Sequence, residues 1–310
     1  MGLRAVMLAA AAVVAVVLTT AVGATERPLV CYWEGWSVYR ADPYKGNSSS
    51  LPIDKCNHII YAFLGLDGAT NTVKYLDKWQ DVDNGGLARF VKQRASRPDL
   101  KVSFAIGGWN EGSSSYSAMA STARGRATFA ASVAGLIKDY GFDGVDLDWE
   151  YPGSRGGSPQ VDKENFVKLL QAIRKAIGNK KLLTIAVWAN INSLDVTYDV
   201  PAISKMVDYI HVMTYDLRGP WDRNVDNHVL LRARSSDKSE LAHLTVVDAM
   251  SAWESRGAPR SKLLMGIAFY GRSFTLTDAT KHIIGSPAQG PGRAGPFSQT
   301  EGSMFYFEVA

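Results

Sequence analysis

Short apolar runs rich in β-branched and aromatic residues alternate along this chain with longer stretches of helical periodicity. Such runs occupy 29–33, 58–63, 101–107, 144–150, 182–187, 209–216 and 263–270. Between them, Phe166, Leu169, Leu170, Ile173 and Ile177 fall on one face of a helix, with Asp162 as its expected N-cap and Gly178 as its stop. Phe129, Val133, Leu136, Ile137 and Tyr140 form another such face, ended by Gly141. Strands that alternate with helices pair in parallel, as an open doubly wound sheet or as a closed barrel. Seven strands are legible, and a closed (β/α)8 barrel needs eight. Beyond Tyr270 the periodicity stops, and the Gly- and Pro-rich run SPAQGPGRAGP at 286–296 predicts irregular loop.

The compartment is written at the N-terminus. Arg4 precedes an almost unbroken apolar run over 5–22, and Val22-Gly23-Ala24 supplies small residues before polar sequence. This reads as a signal peptide over 1–24; a membrane anchor is the competing reading of the same run. Cys31 and Cys56, the two cysteines of the chain, read as one disulfide in an oxidising compartment. Closing that loop stabilises the fold by roughly 3 kcal/mol on the chain-entropy model. Asn47-Ser48-Ser49 inside it is an N-glycosylation sequon. The net charge of +4 is small for 310 residues, and no basic run interleaves with aromatics, which argues against nucleic acid as a partner.

The chemistry concentrates in Gly144-Val-Asp-Leu-Asp-Trp-Glu150. Side chains alternate faces along a strand, so Asp146, Asp148 and Glu150 project from one face and Val145, Leu147 and Trp149 from the other. Three carboxylates on one face of a buried strand repel each other and resist desolvation. Their proton affinities are expected to rise together, leaving one able to act as a general acid near neutral pH. A hard-cation site is the rival reading. No histidine accompanies the acids on this strand, and the histidines elsewhere show no ligand spacing. Glu150 stands at the C-terminal end, which faces the active site in α/β barrels.

FDGVDLDWEYP resembles the DGxDxDWEYP signature of glycoside hydrolase family 18 chitinases. CYW…CNHIIYAF, FAIGGWNEG, YPGSRGGSPQVDKENF, VMTYDLRGPWD and GAPRSKLLMGIAFYGRSFTL are similar to further stretches of that family, so the resemblance spans roughly 28–309 and is nearest to arthropod-type members. It implies a chitinase-type (β/α)8 TIM barrel over 25–271, incomplete at seven strands, and the start of a small α+β insertion over 272–310. It implies no cofactor and no metal, a secreted monomer free of the membrane after signal cleavage, and chitin or chito-oligosaccharides as partners.

The mechanism it implies is substrate-assisted, outside the usual two-carboxylate scheme. Glu150 protonates the glycosidic oxygen, Asp148 orients the substrate's acetamido group, Asp146 supports Asp148, and Tyr215 holds the acetamido oxygen. Asp216 contacts a sugar or water. Trp36, Trp109 and Trp221 match sugar platforms, and Tyr32, Phe63, Tyr151 and Arg272 match the central subsite. Gly107, Gly108, Asn110 and Met213 match further substrate-binding positions of the family. Trp33, Trp79 and Trp253 are expected to pack instead. The chain departs from the family at Val187-Trp188-Ala189-Asn190, at Arg218-Gly219 and at Val225-Asp226-Asn227-His228. A strand eight, with the Trp that floors the central subsite, has no counterpart in the sequence; 25–310 alone is therefore expected to fold poorly and to be weakly active or inactive. A non-catalytic chitin-binding lectin and a metal-dependent hydrolase are the competing functions.

Overall fold

The computed structural model describes residues 27–48, 51–237 and 239–309. The signal or anchor over 1–24 lies outside them. Among the described residues no helix is long and apolar enough to cross a membrane. The strands are β1 (Val30–Glu34), β2 (His58–Asp67), β3 (Thr72–Lys74), β4 (Lys101–Gly107), β5 (Gly144–Asp148), β6 (Leu182–Trp188), β7 (Tyr209–Met213), β8 (Leu263–Met265), β9 (Tyr270–Arg272), β10 (Phe274–Leu276), β11 (Ala288–Pro291) and β12 (Ser303–Phe305). Seven of them form a curled parallel sheet in the order β1-β2-β4-β5-β6-β7-β8, part of a (β/α)8 barrel, and β3 pairs antiparallel with β2. Among the described residues β1 and β8 are its edges.

Local chemistry bounds the long helices at their ends. The helix Ala123–Tyr140 starts where the Thr122 hydroxyl accepts the Gly125 N–H and ends at Gly141, left-handed at φ 79°. The helix Asp162–Ile177 stops at Gly178 as expected, but Val161 takes the cap position. Asp162 is buried and its carboxylate accepts from the backbone N–H groups of Gly153 and Ser158 and from Ser117 Oγ, which ties down the loop after Glu150. Helix-facing Val145, Leu147 and Trp149 join Phe129, Val133, Phe166 and Leu169 in the main core. A buried side chain of this kind contributes roughly 1.5–3 kcal/mol.

Cys31 and Cys56 are bonded, with Cα atoms 6.0 Å apart, and fasten β1 to the segment entering β2. Asn47 is exposed in the enclosed loop, and Ser49 of its sequon lies outside the described residues. After β8, β9 pairs antiparallel with β12 and β10 with β11. The run 286–296 is thus not all loop: Phe274–Leu276 takes up the backbone groups of Ala288–Pro291, a pairing that composition cannot reveal. The expected strand 263–270 divides: the last ladder bond of β8 runs from the Gly266 N–H to Val212 O, and Tyr270–Arg272 pairs with Ser303–Phe305 instead. Phe297 and Phe307 pack on Tyr44, and Arg40 lies over the Phe305 ring, so this last segment reaches back to the loop after β1.

His58, on the inner face of β2, is buried beside Ser103 Oγ at 2.8 Å. Burial, aided by repulsion from His211, pushes its imidazole from 6.5 down to about 3. The unfolded chain takes up this proton near pH 6.5 while the folded chain resists it to about pH 3, so stability present above 6.5 is lost as pH falls. The expected loss by pH 4 is roughly 3 kcal/mol. Buried Asp148 and Glu150 contribute slope of the opposite sign and are common to both forms compared below. Urea unfolding of the parent and of His58→Gln at pH 7 and pH 4 should show a smaller acid loss in the variant. Equal losses would contradict this reading.

Candidate active site

Alternation along β5 puts Asp146 and Asp148 inside the barrel, and Glu150 follows in the turn one step beyond the strand; the three are 0%, 4% and 7% exposed. β5 ends at Asp148, whose carbonyl takes the last bond of the ladder from the Gly108 N–H at 2.9 Å. Gly107 makes that approach possible. It sits at φ 123°, and a Cβ there would lie 2.0 Å from Asp148 O. Gly107 and Gly108 therefore act by letting β4 close on the strand that carries the acids.

The three acids have different partners. Asp146 accepts from Tyr32 Oη at 2.9 Å and from Thr184 Oγ1, and His211 Nδ1 stands 3.3 Å from its Oδ1. Burial alone would raise the Asp146 carboxyl; His211, Thr184 and Tyr32 outweigh it and hold the group below its usual value. The sequence reading expects all three acids to rise, and Asp146 does not, because donors from β1, β6 and β7 converge on its anion. Burial, then the charges of Glu150 and Asp146, push Asp148 well above the usual range. Its Oδ1 is buried without a hydrogen-bond partner among the described residues. Glu150 is raised by burial, against the opposing influence of the Tyr151 hydroxyl and Arg155 and with a further push from the charge of Asp216.

A second cluster follows β7. Asp216 adopts a left-handed backbone at φ 53°, its N–H donates to His228 Nδ1 at 3.3 Å, and its carboxylate accepts from Tyr270 Oη and Arg272 Nε, each at 2.7 Å. Burial opposes ionisation, yet His228, Arg272 and Tyr270 lower Asp216 to about 2. Asp216 and Arg272, expected to meet the substrate, are thus bonded first to each other. The Tyr215 hydroxyl is raised by burial and by the neighbouring acids Asp148 and Glu150. Met213 ends β7 opposite Trp188 on β6.

Aromatic rings surround these clusters. Exposed Trp36 stacks on Phe63 at 6.1 Å, beside Gly108. Trp109 is exposed next to exposed Asn110, and Arg155 covers one face of its indole at 3.4 Å. Exposed Trp221 lies 5.5 Å from the Arg272 guanidinium. The Tyr32 ring is 39% exposed while its hydroxyl is held by Asp146 and His211. Trp33 and Trp253 pack in the core as expected; Trp79 is exposed against Tyr39 instead. His211, Thr184, His228, Arg155 and Tyr270 were not singled out from sequence. For Thr184 and His211 the signal was present: strand parity puts them on the inner face with Ala186. Among the described residues no group of three or more His, Cys, Asp or Glu is placed to hold a metal ion.

Buried acids at the C-terminal mouth of a parallel barrel sheet, ringed by exposed aromatics, define a site of the glycoside hydrolase class. Within that class the chain belongs to the glycosyl hydrolases family 18, whose family model matches residues 28–309. It is 41% identical over 304 residues to the endochitinase of Manduca sexta, covering 94% of this chain and 54% of that protein. It is 39% identical to probable chitinase 2 of Drosophila melanogaster, covering 92% of this chain and 58% of the other. The chain therefore spans little more than half the length of these curated relatives. Among solved structures, the Group IV chitinase of Ostrinia furnacalis in complex with allosamidin superposes with a TM-score of 0.88 at 37% identity, covering 91% of this chain and 76% of that one. Human YKL-39, described as a pseudo-chitinase with retained chitooligosaccharide binding properties, superposes at 0.83 with 29% identity, covering 91% and 77%.

Proposed function

We propose that this chain forms the catalytic part of a secreted chitinase that hydrolyses β-1,4-linked N-acetylglucosamine polymers with retention of configuration. The observation that carries this reading is Asp148. Its carboxyl is raised by burial first and then by Glu150 and Asp146, and its fully buried Oδ1 has no donor among the described residues. An unsatisfied buried polar atom costs about 1–3 kcal/mol, which a substrate N–H would offset. The acetamido N–H of the sugar is such a donor. Glu150, whose carboxyl burial raises so that it keeps its proton to higher pH, gives that proton to the glycosidic oxygen as the C1–O bond breaks. The acetamido carbonyl oxygen closes on C1 to form an oxazolinium ion, with Tyr215 holding that oxygen. Glu150, now a carboxylate, removes a proton from the water that attacks C1. Asp146, held below its usual value by His211, Thr184 and Tyr32, adds negative charge that, after burial and Glu150, raises the Asp148 carboxyl. The disulfide and the apolar N-terminal run favour an oxidising, extracellular setting.

A chitin-binding lectin is the second reading, favoured by the likeness to YKL-39. Incubation of the full-length protein with chitohexaose separates the two. The enzyme reading expects shorter N-acetylated oligomers, formed equally well in the presence of a chelator. Saturable binding with no product would establish the lectin, and product lost on chelation would establish a metal-dependent hydrolase.

A further inference from the structure

Trp188 is the departure from the family pattern whose place in the site is most definite. As the last residue of β6 it follows Thr184 and Ala186 on the inner face, and Thr184 bonds Asp146. Its indole lies face to face with the Tyr151 ring, with centroids 4.4 Å apart and planes 2° from parallel. The Trp188 backbone is fixed on both sides. Its N–H donates to Tyr198 Oη at 3.3 Å, its carbonyl accepts from Trp253 Nε1 at 3.1 Å, and Tyr198 and Trp253 are themselves buried and packed together. Tyr151 is fixed at its own carbonyl by Ser113 Oγ at 2.7 Å. The remaining freedom of Tyr151 is rotation of its side chain, and the indole face blocks it.

We propose that Trp188 is a positioning residue that clamps the Tyr151 ring so that the phenol hydroxyl stays on the Glu150 carboxyl. The proposal rests on Glu150 being the acid of the proposed reaction. Geometry sets the direction of its consequences. The Tyr151 hydroxyl favours the ionised form of Glu150, the residue before it in the chain. Arg155 also favours the ionised form, Asp216 opposes it, and burial opposes it most. Arg155, Asp216 and Asp148, the charged groups that act on Glu150, lie on segments other than β6 and keep their places when Trp188 is shortened. Release of the phenol therefore makes Glu150 harder to ionise. The basic limb of the pH–rate profile, which reports loss of the acid's proton, moves to higher pH. The phenol would also stop holding the carboxyl in line with the leaving oxygen, and a displacement of about 1 Å costs on the order of 10²-fold in rate. Partial freedom is expected to lower kcat roughly tenfold.

The test compares the full-length protein with Trp188→Ala, Trp188→Phe, Tyr151→Phe and the double variant Trp188→Ala/Tyr151→Phe. Trp188→Ala should lower kcat about tenfold, leave KM within about twofold and move the basic limb up. Trp188→Phe, which keeps a flat face, should restore most of the rate. Tyr151→Phe should move the limb the same way, and the double variant should be no slower than Tyr151→Phe alone. A raised KM with kcat unchanged would make Trp188 a sugar contact and overturn the clamp, as would independent, multiplying losses in the double variant. A parent protein without turnover would sink the proposed function rather than the clamp. The clamp is then read from the titration of 13C-labelled glutamate side chains by NMR. Glu150 should titrate at higher pH in Trp188→Ala than in the parent, and an unchanged titration would overturn the proposal.

Discussion

Glu150→Gln is expected to bind chito-oligosaccharide with nearly the affinity of the parent protein and to lose turnover by about 10²–10⁴-fold or more. The amide has the size and planarity of the carboxyl and preserves the packing around a residue that is 7% exposed. It cannot give up the proton that the glycosidic oxygen needs, nor later accept one from water. No neighbour is placed to take over. Asp148 is raised, but it lies one layer deeper than Glu150, and Asp146 is held below its usual value and enclosed by Tyr32, Thr184 and His211. Isothermal titration with chitohexaose beside a turnover assay makes the comparison. Turnover near that of the parent would remove Glu150 from the role of acid.

The second large effect lies in the substrate. If the nucleophile is the acetamido oxygen of the sugar, then cellohexaose and fully deacetylated chitosan lack the attacking group altogether. An intramolecular nucleophile can correspond to an effective concentration of 10⁵ M or more, so the expected loss is on the order of 10³-fold at the least. Among the described residues the one carboxylate oxygen of the site that is fully buried without a hydrogen-bond partner is Asp148 Oδ1, and cellulose offers no N–H to meet it. Thiazoline analogues of the oxazolinium should inhibit, because they resemble the intermediate more than the substrate does. Rapid cleavage of cellohexaose would contradict the substrate-assisted route.

The parallel sheet and the acid strand were legible because both follow from periodicity. Val145, Leu147 and Trp149 alternate with three acids, and only a strand inside a helix-covered barrel places the two sets as the structure does. The partners that divide the acids into one anion and two raised carboxyls were harder to see, because Tyr32, Thr184 and His211 come from three distant strands. A pair of residues 179 apart, such as Tyr32 and His211, leaves no local pattern. The same holds for Asp216. From sequence it was a sugar contact, and only the folded chain shows Arg272, Tyr270 and His228 gathered on it. The division of 263–270 into two strands and the pairing of Ala288–Pro291 depend on which backbone groups find each other, which side-chain composition does not encode. Trp188 stood out in the sequence as a misfit; its parallel stack on Tyr151 gives the misfit a place beside the acid.

Retention, the N-acetyl nucleophile and the action of Glu150 meet in one observable, the anomer first released. Proton NMR of chitohexaose, recorded within the first turnovers of the full-length protein and before mutarotation, reads it directly. The expected spectrum shows shorter oligomers whose new reducing ends are β. Reducing ends that appear first as α, or a substrate that stays intact while it is bound, would contradict a retaining chitinase built on Glu150 and Asp148.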